Sequence, residues 1–224
     1  MIRCHTLVIS DLHLGAPICR TDKILAALDE VRFKNLIING DLFDNDSPAK
    51  FNSGHWEIIS RLSAIAERSD VYLVGGNHGR KLDALARKMD IRTCERRIFT
   101  LGEKKILCLH GDEFDMYMKK LPFISGLLSG AYYSIQRFSG KKQHFSIVLK
   151  RATKKFFGIA RRQKRLALAH GRMHGADVVI CSHTHIPHVS EDAGMLFLNS
   201  GSFCDQPSTF ITIRKDGTAQ LHEI

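Results

Sequence analysis

The sequence predicts an α/β domain interrupted by a basic helical insertion, and three observations carry that reading. Up to Met89, short β-branched runs alternate with helical periodicities, the pattern of βαβ units and a mainly parallel sheet. From Met116 to Ala176 there are fourteen Lys and Arg and no Asp or Glu. Strand patterning resumes at Asp177–Cys181, so the basic stretch lies inside the domain and not after it. A length of 224 residues fits one such unit plus an insertion.

In chain order, His5–Ser10 is an apolar run that ends at Asp11. Asp22–Phe33 follows a helical period through Ile24, Leu25, Leu28 and Val31. Leu36–Asn39 is a buried-type strand ending at Gly40–Asp41, and His55–Arg68 is helical through Ile58, Ile59, Leu62 and Ile65. Val71–Val74 is the third strand and ends at Gly75–Gly76–Asn77. A helix is expected near Lys81–Met89, then strands at Arg97–Leu101 and Lys105–Leu109, the latter ending at His110–Gly111–Asp112. Beyond the insertion, Asp177–Cys181, Pro187–Ser190, Met195–Leu198, Thr209–Arg214 and Thr218–His222 read as strands, with a turn at Asp216–Gly217.

Composition narrows the class. With 44% hydrophobic and 25% charged residues, the chain is neither disordered nor fibrous. No run reaches the roughly 18 apolar residues of a membrane span. The opening MIRCHTLVIS leads straight into Asp11 and does not read as a secretory signal. Six scattered cysteines without a CxxC pair read as reduced, mostly buried thiols of a cytoplasmic protein. The net charge is +10; the basic stretch contributes +14, which leaves −4 for the remainder.

The chemistry lies at the strand ends, where open α/β sheets form their sites. Five successive ends deliver metal-type ligands: Asp11 and His13; Asp41 and Asp44; Asn77 and His78; His110; His183 and His185. One strand-end Asp is usually a turn cap, but repetition at every end is not explained that way. Mixed His, Asp and Asn donors suit manganese, iron or zinc. The set is large enough for two cations about 3.5–4 Å apart if a carboxylate bridges them, and Asp41 on its Gly40 turn is the natural bridge.

The series Asp11-x-His13, Gly40-Asp41-x-x-Asp44, Gly76-Asn77-His78, His110 and His183-x-His185 resembles the calcineurin-like metallophosphoesterases. The resemblance implies a four-layer α-β-β-α sandwich of two mixed sheets flanked by helices. It also implies two divalent ions, Mn²⁺ first, with iron or Zn²⁺ also compatible. One would be held by Asp11, His13, Asp41 and His185, the other by Asp41, Asn77, His110 and His183. His78 would protonate the leaving oxygen beside the bound phosphate, and Asp44 would orient its imidazole. Where the family often carries Asp or Glu after Asn-His, this chain has Gly79. Within the superfamily, Ser10-Asp11-Leu12-His13-Leu14, Gly40-Asp41-Leu42-Phe43, His110-Gly111-Asp112 and His183-Thr184-His185-x-Pro187 are similar to the UDP-2,3-diacylglucosamine hydrolase branch of lipid A synthesis. The chain departs from that branch at His78–Gly79, where Arg-Asp is usual, and at Glu113–Tyr117, which replaces a Cys-Thr-Asp-Asp stretch.

The insertion, taken as residues 114–174, is expected to form a basic helical lid. From Phe145 the apolar positions Val148, Leu149, Ala152, Phe156 and Ile159 share one face, while Lys150, Arg151, Lys154 and Lys155 fall mainly on the other. A second helical piece is expected over Leu127–Phe138. Three readings compete: a solvated cap, a lid that receives acyl chains and touches anionic phosphate through Lys150 and Lys154, or a groove for nucleic acid. The amphipathic spacing favours the lid, and the absence of acidic residues speaks against the plain cap. The expected function is therefore hydrolysis of a phosphoester or pyrophosphate in an amphiphilic, UDP-sugar-lipid type substrate at the inner face of the membrane. The rivals are a phosphodiesterase acting on nucleic acid or a soluble nucleotide, and a binding protein that kept the fold without the chemistry.

Overall fold

The computed structural model describes residues 1–114 and 158–224. A six-stranded sheet is built from β2 (Thr6–Ile9), β4 (Asn35–Asn39), β5 (Asp70–Val74) and β6 (Arg92–Cys94), all parallel. On its other side β12 (Thr209–Ile213) runs antiparallel to β2, and β13 (Ala219–Glu223) antiparallel to β12. The second sheet has the order β10 (His188–Asp192), β11 (Met195–Asn199), β9 (Val178–Cys181), β8 (Lys104–Cys108), β7 (Arg97–Leu101). Its three central strands are parallel, and both edges are antiparallel. A small parallel pair, β1 (Ile2–Arg3) with β3 (Val31–Arg32), was not evident from periodicity.

Strand parity explains the layering, because alternate side chains point to opposite faces. Val8, Ile37 and Val74 of the first sheet meet Ile106, Cys108, Val178, Ile180 and Leu198 of the second in a core between the sheets. Their neighbours Leu7, Ile9, Leu36, Ile38 and Leu73 face outward, under α1 (Thr21–Glu30), α2 (Ser53–Ala66) and α3 (Asp83–Lys88). On the far face of the second sheet, Leu107, Leu109, Val179 and Phe197 are covered by Ala167 and Leu168 of α4 (Ile159–Met173). The result is the expected four-layer α-β-β-α sandwich.

Local differences have local causes. Helix α1 stops at Glu30 and not near Phe33, because Val31 turns extended and pairs with Ile2. Helix α2 begins at Ser53, ahead of the expected His55. Asn52 accepts from the His55 amide at 3.0 Å while His55 Nδ1 accepts from the Asn52 amide at 3.1 Å, a reciprocal cap with His in the usual Glu or Gln role. The helix expected near Lys81–Met89 splits into a 3₁₀ turn, Arg80–Leu82, and the short α3.

Within the insertion expected over 114–174, the described residues 159–173 form α4, a flanking helix of the domain. It buries Gln163, Ala167, Leu168 and Gly171 against the second sheet and leaves Arg161, Arg162 and Arg165 exposed. Lys150 and Lys154, and the helices expected over Leu127–Phe138 and from Phe145, lie outside the described residues. Among the described residues no helix is long and apolar enough to cross a membrane. All six cysteines are free thiols, three buried and three half-buried.

Candidate metal centre

Parallel strands β2, β4, β5, β8 and β9 all end on one side of the sandwich, and the turns after them bring the candidate ligands together. Asp11, His13, Asp41, Asp44, His110, His183 and His185 are all buried, while Asn77 and His78 are half-buried. Two polar staples hold the sheets at this end. Asn39 Nδ2 donates to the Leu109 carbonyl at 3.0 Å, and the Ser10 and Ser200 hydroxyls meet at 2.7 Å.

Ligand atoms of Asp11, His13 and His185 converge, as do those of Asp11, Asp41 and His110, and those of His13, Asp44 and His78. Asp41 Oδ2 stands between the first two groups, 3.7 Å from His13 Nε2 and 3.4 Å from His110 Nε2. His185 Nε2 is 2.9 Å from Asp11 Oδ1, and Asn77 Oδ1 is 3.3 Å from His110 Nε2. His183 donates its amide to Asp11 Oδ2 at 3.3 Å, and its ring sits edge-on to His110 with centroids 5.1 Å apart.

These spacings fit a shared cation. Donors about 2.0–2.2 Å from one ion lie roughly 3–3.5 Å from each other. Both ring nitrogens of buried His13 lack a hydrogen-bond partner, although carboxylates lie 3.5 to 3.9 Å away. Buried polar atoms are rarely left so, and an ion shared with Asp11 and Asp41 would satisfy Nε2. The donor set, imidazole with carboxylate and amide oxygen, suits a first-row divalent metal.

The backbone is bent to achieve this. Among the described residues, seven non-glycine positions have positive φ, and five of them are Asp11, His13, Asp41, His183 and His185. Each left-handed turn costs on the order of 1 kcal/mol, and such strain concentrates at functional sites. Gly40, at φ 91°, lets the His110 ring lie against its backbone, since a Cβ there would sit 2.0 Å from Nδ1. Gly79 has a similar explanation. At φ 62° a Cβ would sit 2.6 Å from the Phe43 main-chain oxygen, so a side chain has no room here.

Electrostatically the site is a dense pairing of opposite charges. Burial pushes the Asp11 and Asp41 carboxyls up, but His185 beside the first and His110 beside the second outweigh it and hold both below the usual range. Burial lowers His110, yet Asp41, Asp11 and Asp112 overcome it and push the imidazole up to about 10. His13 moves down, because burial exceeds the pull of Asp44 and Asp41.

Three features of the site had no sequence signal. His185 Nδ1 is 2.8 Å from Asp205 Oδ2, a buried carboxylate itself met by the Ser202 hydroxyl at 3.3 Å. A proton held on Nδ1 by Asp205 leaves Nε2 a lone-pair donor facing Asp11. His110 is oriented in the same way, its Nδ1 meeting Ser182 Oγ at 2.8 Å and the Asn39 carbonyl at 3.1 Å. Gln163 of α4 donates to the Ser182 carbonyl at 2.9 Å and so fixes the turn bearing His183 and His185. Asp205→Ala should weaken metal affinity about 10–100-fold, and Asp205→Asn should weaken it less. A chelator-competition titration distinguishes these; unchanged affinity in Asp205→Ala would remove Asp205 from the centre.

His78 Nδ1 is 3.2 Å from the main-chain carbonyl of Asp44, and its amide donates to Asp41 Oδ1 at 2.9 Å. The Asp44 carboxylate lies 3.5 Å from His13 Nδ1 and accepts from Asn45 Nδ2 at 2.6 Å. The His78 ring thus has the Asp44 main-chain carbonyl as a hydrogen-bond partner, and the Asp44 carboxylate converges with it and with His13.

The calcineurin-like phosphoesterase superfamily domain matches residues 5–216, and the chain belongs to that superfamily. Among solved structures it is similar to a novel archaeal phosphodiesterase, at 15% identity and TM-score 0.52, covering 98% of this chain and 99% of that one. It is also similar to YfcE, a phosphoesterase from E. coli, at 16% identity and TM-score 0.49, covering 98% and 97%. Wild-type Vps29 from Entamoeba histolytica, complexed with zinc, is similar at 16% identity and TM-score 0.47, again covering 98% and 97%. No curated protein matches the chain.

Proposed function

We propose that the chain is a metal-dependent phosphoesterase with two divalent cations bridged by Asp41. Asp11, His13 and His185 complete one site, and Asn77, His110 and His183 the other. The carrying observation is the convergence of buried acidic and imidazole donors from four strand ends, with half-buried Asn77 and His78 from a fifth, spaced for shared ions. When bound, two such cations neutralise phosphoryl charge and lower the pKa of a water. His78 supports the reaction from the half-exposed edge. With Nδ1–H given to the Asp44 carbonyl, its Nε2 can carry a proton to the departing oxygen.

The test is turnover of bis-p-nitrophenyl phosphate with Mn²⁺, abolished by a chelator and restored by added metal. Absence of turnover with Mn²⁺, Fe²⁺ and Zn²⁺ alike would reject the reading. A second measurement follows from His110. Pushed up to about 10, its imidazole carries a proton at pH 7 without metal, and ligation needs it neutral. Metal binding at pH 7 should therefore release about one proton from His110, and affinity should rise with pH. Calorimetry in buffers of different ionisation enthalpy reads the release directly; none at pH 7 would place His110 outside the metal shell.

For substrate class, an amphiphilic phosphoester or pyrophosphate such as a UDP-sugar-lipid is supported by the composition of Met116–Ala176, fourteen basic and no acidic residues, and by the motif resemblance described above. A basic segment of this kind attracts anionic headgroups. Co-sedimentation with anionic liposomes, set beside binding to single-stranded DNA and titrated with salt, tests it. Tight DNA binding with no preference for liposomes would favour a nucleic-acid phosphodiesterase.

A further inference from the structure

Away from the centre, the last turn of α4 carries a second cluster of donors. His170 and His174 are four residues apart, so they share one helix face. Their rings stand nearly edge-on with centroids 4.7 Å apart, and the two Nε2 atoms are 3.2 Å from one another. Arg96, just before β7, places one guanidinium nitrogen against His170 Nε2 and 3.5 Å from His174 Nε2. A guanidinium has only donors. His170 Nε2, the atom against the guanidinium, therefore turns its lone pair toward the point where the three side chains meet. The Phe114 ring stands edge-on to His170, with centroids 6.2 Å apart.

We propose that His170 and His174 form a surface chelate for a transition-metal ion, a site separate from the strand-end centre and closed by Arg96 when empty. Two donors about 2.0–2.1 Å from one tetrahedral ion lie roughly 3.3 Å apart, which is the spacing of these nitrogens. Two His at i and i+4 on one helix face are a known zinc-holding arrangement, and imidazole suits Zn²⁺, Cu²⁺ and Ni²⁺. At His170 the tautomer facing Arg96 is the ligating one. Burial and then Arg96 lower the His170 pKa, so the ring is held ready without a proton to displace. Arg96 takes the place a cation would take, and it must rotate outward before an ion enters. Its side chain is exposed, so that rotation meets solvent rather than core. Water would complete the coordination.

The test uses the full chain with Zn²⁺ in equilibrium dialysis, followed by metal analysis. Wild type should hold one equivalent more than His170→Ala/His174→Ala, whatever exchange occurs at the strand-end centre, because that exchange is common to both proteins. Arg96→Gln should keep the extra equivalent and bind it about tenfold or more tighter. A unit and a double positive charge about 4 Å apart repel appreciably even in water. Turnover of bis-p-nitrophenyl phosphate should be the same in all three, since none of these side chains belongs to the proposed catalytic set. Thermal melts confirm that the variants fold. Equal zinc content in wild type and the double variant overturns the site, and unchanged affinity in Arg96→Gln overturns the role of the arginine.

Discussion

Asp41→Ala should empty both metal positions and bring phosphodiester turnover to background. The carboxylate reaches three partners at once. Oδ1 accepts the His78 amide at 2.9 Å, while Oδ2 faces His13 at 3.7 Å and His110 at 3.4 Å. Two dications about 3.5–4 Å apart are tolerable only with an anion between them, and ignoring that charge would leave the electrostatics incomplete. Removing Asp41 leaves Asp11 as the only carboxylate common to the strand-end groups. Asp41→Asn keeps the shape and loses the charge, so it should also shed at least one ion, which separates electrostatics from packing. Asn77→Ala, by contrast, should weaken mainly the ion shared with His110. Metal analysis showing two full equivalents in Asp41→Ala would refute the bridge.

Much of this site was legible because parallel strands repeat one geometry. A β-branched run, then Asp or His within two residues of its end, places a ligand at the same edge each time, as at Asp11, Asp41, His110 and His183. The continuous apolar run before Cys181 likewise read as a buried strand, and Val178–Cys181 is buried throughout; Thr209–Ile213 read only as a strand and is buried throughout as well. What stayed hidden depends on approach between distant segments. Asp205 reaches His185 from a loop twenty residues further on, and no spacing rule links them. The Asn39–Leu109 staple spans 70 positions and two sheets. Gln163 looked like one polar residue in a basic run, yet it is buried on the side of α4 that meets the His183–His185 turn. The left-handed turns at five ligands were hidden for a different reason. Asp and His favour them only weakly on their own, and here the two closing sheets impose them.

His78→Ala should leave metal content and fold intact while lowering the rate by roughly 10²–10⁴-fold, the range for loss of a positioned general acid. The geometry supports the separation. His78 belongs with His13 and Asp44 in a third convergence of donors, its ring edge-on to His13 at 5.0 Å, and it remains half-exposed while the carboxylate and imidazole ligands are buried. Its main-chain amide, which Ala retains, is the group that bonds Asp41. The side chain adds the acid and little to the scaffold. The loss should therefore depend on the leaving group: large for an alkyl phosphodiester, whose departing oxygen needs a proton, and small for p-nitrophenolate, which hardly does. Because the Asp44 main-chain carbonyl lies 3.2 Å from the ring nitrogen, Asp44→Asn should preserve that hydrogen bond and cost less than His78→Ala. Any remaining effect of Asp44→Asn should enter through His13, which its carboxylate faces at 3.5 Å, and so should show as weaker metal binding. Equal losses for good and poor leaving groups in His78→Ala would mean that the imidazole holds the phosphate and does not donate a proton.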